Sequence, residues 1–269
     1  MIRFFARAAL VVALAVQAVH ADDPPGRKRR TPPQEFGRVV IANQARKAKV
    51  PSVTFDHWLH RAKYTCRVCH VDAGFAMRAG GTDLRAADNA AGQYCGACHN
   101  EKTKADGGGR IFSACRTGVA VADNPTCQRC HDGGSGARHE YDFATFTRDL
   151  PRARFGNGVD WEIAEAKRLI KPIDYVEGLS VKRPAMPVQK DFALPARLEG
   201  MPEIIFSHAK HTVWTGCEGC HPEIFMGVKR GLTKYTMVDI FEGKFCGACH
   251  VSVAFPTLDC QRCHSKPVQ

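Results

Sequence analysis

Thirteen cysteines in 269 residues, with a formal charge of +11, are too many thiols for an ordinary chain of one or two domains. The charge invites nucleic acid or an anionic membrane surface, and so many cysteines in a secreted chain invite a disulfide framework. Twelve of the thirteen, however, fall in six identical Cys-x-x-Cys-His units, a regularity that disulfides do not need and that zinc spacing does not impose.

At the N-terminus, Arg3 and Arg7 precede an apolar run from Ala8 to Val19, about a dozen residues and too short to span a bilayer. Val19-His20-Ala21 suits a signal peptidase, so residues 1–21 are expected to be a signal peptide cleaved after about Ala21, with the remainder exported to the periplasm. Loss of Arg3 and Arg7 leaves a charge of +9. No other segment reads as transmembrane. Residues 22–50, rich in proline and charge and including Arg27-Lys28-Arg29-Arg30, read as an extended, solvated N-terminal tail.

Residues 51–140 carry His57 and His60, then Cys66/Cys69/His70, Cys95/Cys98/His99 and Cys127/Cys130/His131. Residues 201–269 carry His208 and His211, then Cys217/Cys220/His221, Cys246/Cys249/His250 and Cys260/Cys263/His264. Phe55, His57, His60, Cys66 and Cys95 recur 151 residues later as Phe206, His208, His211, Cys217 and Cys246, so an internal duplication is the simplest account. The first copy spans 32 residues from Cys95 to Cys127 where the second spans 14 from Cys246 to Cys260. The surplus, roughly 101–123, holds glycines 107–109 and Cys115 and reads as a loop. Cys115 is expected to be an inert thiol, with a distal ligand and a plain loop residue as alternatives.

Cys-x-x-Cys-His is the attachment signature of c-type haem: the two thiols form thioethers with the vinyl groups and the adjoining histidine binds the iron. Six units predict six covalently attached haem c groups. Their propionates would bring ~12 negative charges, which the lysines and arginines neutralise, so the basic charge does not imply nucleic acid. Each half has too few apolar residues outside its motifs for a normal core. The expected fold class is therefore a multihaem cytochrome, with short α-helices and irregular loops wrapped around covalent haems and little β structure.

Residues 141–200 hold no motif but keep Tyr141, Phe143, Phe146, Leu150, Trp161 and Tyr175. A helix is predicted over Asp160–Leu169, capped by Asp160 and followed by Pro172, with an extended stretch from 181 to 203. This haem-free connector is expected to pack on the haem-bearing domains and set their relative position.

An iron with two histidines is a closed, low-potential carrier, a Met/His iron has a higher potential, and an open iron can bind small molecules. Outside the motifs and His20 the chain has His57, His60, His139, His208 and His211, five residues for six irons. The segments FSHAKH, CEGCH, GKFCGACH and CQRCH resemble the cytochrome c7 group, related to cytochromes c3, over about 55–131 and 206–264. The resemblance implies two tandem three-haem domains. It also implies a periplasmic carrier or relay between redox partners, such as membrane quinol-oxidising or outer-membrane cytochromes.

Carried over, the first histidine of F-x-H-x-x-H caps the first haem and the second caps the second. His57 then serves the Cys66/Cys69 haem, His60 the Cys95/Cys98 haem, His208 the Cys217/Cys220 haem and His211 the Cys246/Cys249 haem. The third haem departs from the pattern, because the histidine that smaller members place four residues before the middle motif is here Ala91 or Glu242. Some larger relatives use methionine, which makes Met237 the candidate for the Cys260/Cys263 haem. Its first-half equivalent is Ala86, leaving Met77, His139 or an open iron for the Cys127/Cys130 haem. No catalytic residue stands out. The alternatives to a carrier are a multihaem reductase with one open haem and a subunit of a larger electron conduit.

Overall fold

In the computed structural model the described residues are 30–105, 108–115, 120–121, 124–133, 142–184, 187, 190–196, 198–227 and 231–266. The expected signal peptide and His139 lie outside them. Of two units, Met1–Thr31 and Pro32–Gln269, the second carries every element below.

Regular structure is sparse and short. The order is β1 (Arg38–Ile41), α1 (Asn43–Lys47), β2 (Val53–Asp56), α2 (His57–Arg61), α3 (Ala86–Ala90), α4 (Pro125–Gln128), α5 (Phe143–Thr147) and α6 (Trp161–Ala166). It continues with β3 (Phe192–Leu194), β4 (Glu203–Phe206), α7 (His208–Thr215), α8 (Met237–Phe241), α9 (Gly247–His250), α10 (Cys260–Cys263) and β5 (His264–Lys266). Helices of four to eight residues are far below the length that is stable alone in water, so packing and caps must hold them. Asp160, Ser207 and Thr236 each accept a backbone N–H at a helix start, and Thr236 forms a reciprocal capping box with Asp239.

The predicted helix over 160–169 starts at its Asp160 cap and stops at Ala166. Arg168 turns to φ 57°, its N–H bonds Glu165 O at 2.8 Å, and Leu169 N–H bonds Ala164 O at 2.9 Å. This is a Schellman stop built on arginine instead of glycine, so no glycine announces it. The stretch expected as an extended tail carries β1 and α1 from Arg38 onward, because β1 finds an antiparallel partner in β2. Buried Asp56 of β2 accepts the Arg38 guanidinium at 2.8 Å.

The duplication is visible in three dimensions. Val39 pairs with Phe55, and Phe192 pairs with Phe206, so each F-x-H-x-x-H segment is preceded by a strand with an upstream partner. Val53 bridges His131, and Ile204 pairs with His264, so the third motif of each half closes onto the strand that opens it.

Ten apolar residues are buried among those described, and six of them form one cluster: Trp58, Ala62, Val159, Trp161, Ala164 and Ile170. Four of the six come from the connector, and Trp214 of α7 packs against them. The connector also pairs in parallel with the segment before the first motif, Thr65 N–H bonding Ile173 O at 3.0 Å. Arg67 meets Asp174, while Arg183 reaches Asp72 at 2.8 Å and Glu218 at 2.7 Å. This small core serves the connector. The two motif-bearing stretches instead line a cavity of about 2110 Å³.

Candidate haem-binding site

Five of the six motifs close as one tight turn, and the first runs into a π-helical turn over Val68–Asp72. His99, His131, His221 and His250 return their N–H to the carbonyl of the first cysteine of their unit at 2.8–3.0 Å, and His264 does the same to Cys260. A turn of this kind puts the first cysteine, the second cysteine and the histidine on one face, so two sulfurs and an imidazole nitrogen reach one ligand together.

Close backbone approach is required behind the middle motif. A Cβ on Gly96 would overlap the carbonyl of Asn89 on α3, and one on Gly247 would overlap that of Ile240 on α8. Both pairs obey the 151-residue offset. Replacing Gly247 by alanine is expected to push α8 off the Cys246/Cys249 turn and to lower the haem content of purified protein, measured per mole of polypeptide. Unchanged haem content would contradict this contact.

None of the thirteen cysteines is joined in a disulfide. Ten of the twelve motif cysteines line the cavity: Cys66, Cys69, Cys95, Cys98, Cys130, Cys220, Cys246, Cys249, Cys260 and Cys263. Cys217 is exposed and Cys127 half-buried. Burial pushes Cys69, Cys95 and Cys249 up to about 12, and Cys130 and Cys246 up to about 11. Among the described residues no three or more His, Cys, Asp or Glu side chains converge as a metal cluster. A cavity about twice the upper end of a single small-ligand site, lined by paired thiols and imidazoles, fits several haems.

The imidazoles are oriented by their other nitrogen. Nδ1–H of His70, His221 and His250 donates to Phe75 O, Phe225 O and Phe255 O at 3.0, 2.7 and 2.9 Å. His131 and His264 donate to Pro51 O and Pro202 O, each at 2.7 Å. Since a carbonyl can only accept, Nε2 is left unprotonated and available to a metal. Burial lowers His57, His70 and His99, and takes His250 down to about 4, keeping these rings in the neutral form that binds iron.

Three of the expected ligand pairs come together. Ring centroids lie 6.4 Å apart for His57 and His70, and 6.2 Å apart for both His60/His99 and His211/His250. Two metal–nitrogen bonds of ~2.0–2.1 Å in line, plus the offset of each nitrogen from its ring centre, give roughly 6.3 Å. His57 and His211 are oriented as the motif histidines are, donating to Gly37 O at 2.5 Å and to Ser207 O at 2.7 Å.

His208 is oriented as His57 is, donating to Lys190 O at 3.1 Å with its ring edge-on to Phe206 as that of His57 is to Phe55, but it makes no ring contact with His221 among the described residues. Met237 opens α8 and lines the cavity with Cys260, Cys263 and His264, and Met77 also lines it. Cys115 is half-buried and its thiol is raised by burial.

One pair of residues escapes a reading by sequence offset. Phe255 lies 4.3 Å from the His250 ring with the Arg262 guanidinium 4.7 Å above it. In the first half Phe112 takes the same place, 4.6 Å from His99 and 4.1 Å from Arg129. Within the surplus of the first half, Lys104 bridges Arg110 and Ile111 N–H bonds Thr103 O at 2.9 Å, immediately before Phe112. Insertion on both sides of Phe112 hides the equivalence in the sequence.

A family model described as cytochrome c7 and related cytochrome c matches residues 53–132 and 204–265, together more than half of the chain. Among solved structures, a c7-type three-heme cytochrome domain is 36% identical over 29% of this chain and 95% of its own, with a TM-score of 0.26. The C-terminal hexaheme fragment of GSU1996 is 24% identical over 87% of this chain and 99% of its own, TM-score 0.26. The dodecaheme cytochrome c GSU1996 is 21% identical over 85% of this chain and 73% of its own, TM-score 0.25. No curated protein matches the chain.

Proposed function

The chain belongs to the family of cytochrome c7 and related c-type cytochromes, whose business is electron transfer, and from that premise we propose that it is a periplasmic relay carrying six covalently attached haem c groups. The supporting observation is the set of histidine pairs at 6.2–6.4 Å, each beside its own thiol pair. Bound haem supplies a one-electron iron couple. The chain would attach it through two sulfurs and offer it paired imidazoles, and burial keeps His57, His70, His99 and His250 neutral. His57, His60, His208 and His211 are proposed as distal ligands to the first and second haems of each half. Met237 is proposed for the Cys260/Cys263 haem, and Met77 or His139 for the Cys127/Cys130 haem. Closed irons favour a carrier over a reductase. The proposed partners are periplasmic or membrane-associated redox proteins, met weakly and transiently. Among the described residues no helix is long and apolar enough to cross a membrane.

Redox titration of the holoprotein with electron paramagnetic resonance tests the reading. Most irons are expected to be low-spin and low-potential, with one or two higher. Six identical low-potential haems would contradict ligation by Met237, and a high-spin iron that binds carbon monoxide would favour the reductase.

A further inference from the structure

We infer that Arg61 is a positioning residue for electron transfer between the two halves. It supplies a fixed positive charge where the ligands of the Cys66/Cys69 haem meet those of the Cys246/Cys249 haem, and biases both irons toward the reduced state. The inference rests on the electron-relay reading and deepens it.

Arg61 ends α2, one turn after His57 and on the same face. Its Nη1 donates to Val253 O at 3.4 Å, and Val253 N–H in turn bonds Cys249 O at 3.1 Å. The first-half ligand helix thus touches the turn that follows the second-half motif. Gly37 marks the same junction, since a Cβ there would meet His57 Cβ and Ser252 O, each at 3.4 Å.

The guanidinium lines the cavity between two indoles, 4.8 Å from the Trp161 ring and 5.4 Å from that of Trp214. Aromatic faces stabilise a cation without neutralising it. Glu165 is the acid that feels this charge, but no carboxylate forms an ion pair with Arg61 among the described residues. An arginine guanidinium keeps its charge at neutral pH even when buried.

The event it acts on is a one-electron exchange. With haem held by both sets of ligands, the electron lost by one iron would be the electron gained by its neighbour, with no proton moved and no bond made or broken. The ferrous site carries one positive charge less than the ferric, so a nearby cation favours it. At an effective dielectric near 20, a unit charge ~12 Å away would change the reduced-to-oxidised ratio on the order of tenfold.

The test uses the holoprotein and the variants R61Q, R61K and E165Q, each checked for haem content by pyridine haemochrome before spectroelectrochemical titration. At the wild-type midpoint of the affected haems, R61Q is expected to lower the reduced-to-oxidised ratio about tenfold. R61K, which keeps the charge, should remain close to wild type, and E165Q should raise the ratio. R61Q and R61K that shift alike, or titrate as wild type, would overturn the inference. Should R61Q lose haem, E165Q carries the test, and the absence of an upward shift overturns it. An unsubstituted protein without reducible haem would overturn the relay reading instead.

Discussion

Replacing Cys246 and Cys249 together by alanine is expected to remove one haem from the chain and to unfold much of its second half. The walls of the cavity carry few side chains that could collapse inward. Only Gly247 and Ile240 are buried within α8 and α9. If six haems share the 2110 Å³ cavity, each lost group leaves on the order of 350 Å³, which at ~24 cal/mol per Å³ costs about 8 kcal/mol. The total stability of an ordinary domain is only about 5–15 kcal/mol. Intact mass should fall by one haem, and near-ultraviolet dichroism and resistance to proteolysis after residue 201 should be lost. A variant with six haems, or a cooperative thermal transition like that of the parent, would contradict this.

The second large effect concerns ligation. His211 sits on α7 with its Nδ1–H donated to Ser207 O at 2.7 Å and its centroid 6.2 Å from His250. Exchange of His211 for methionine replaces a strong nitrogen donor with a weak thioether, which favours ferrous over ferric iron. One haem is expected to rise by on the order of 100 mV or more, while those at Cys95/Cys98 and Cys127/Cys130 keep their potentials. A thioether that fails to reach the iron would leave a high-spin ferric signal from one haem. A full set of parental potentials would remove His211 from the ligand set.

Much of this architecture is legible in the chain, because covalent chemistry leaves invariant letters behind. Two thiols and an imidazole must occupy set positions on one turn, so six Cys-x-x-Cys-His units and the 151-residue offset can be read without a structure. The Asp160 cap was legible for the same reason, as a local hydrogen bond with a local signature. The Arg168 stop was not, since glycine usually marks the left-handed position and arginine here does not. Nor was the pairing of β1 with β2 across a helix and turn, where the decisive contact, Arg38 with Asp56, spans 18 residues. Phe112 and Phe255 fill the same place through different spacings, which only three-dimensional placement reveals.

Polypeptide mass and haem content of the exported protein, determined on one sample by intact mass spectrometry and the pyridine haemochrome assay, test the central claim most directly. Six covalently bound haems per chain are predicted. A bare polypeptide, or a content well below six in material that is folded and exported, would contradict the account.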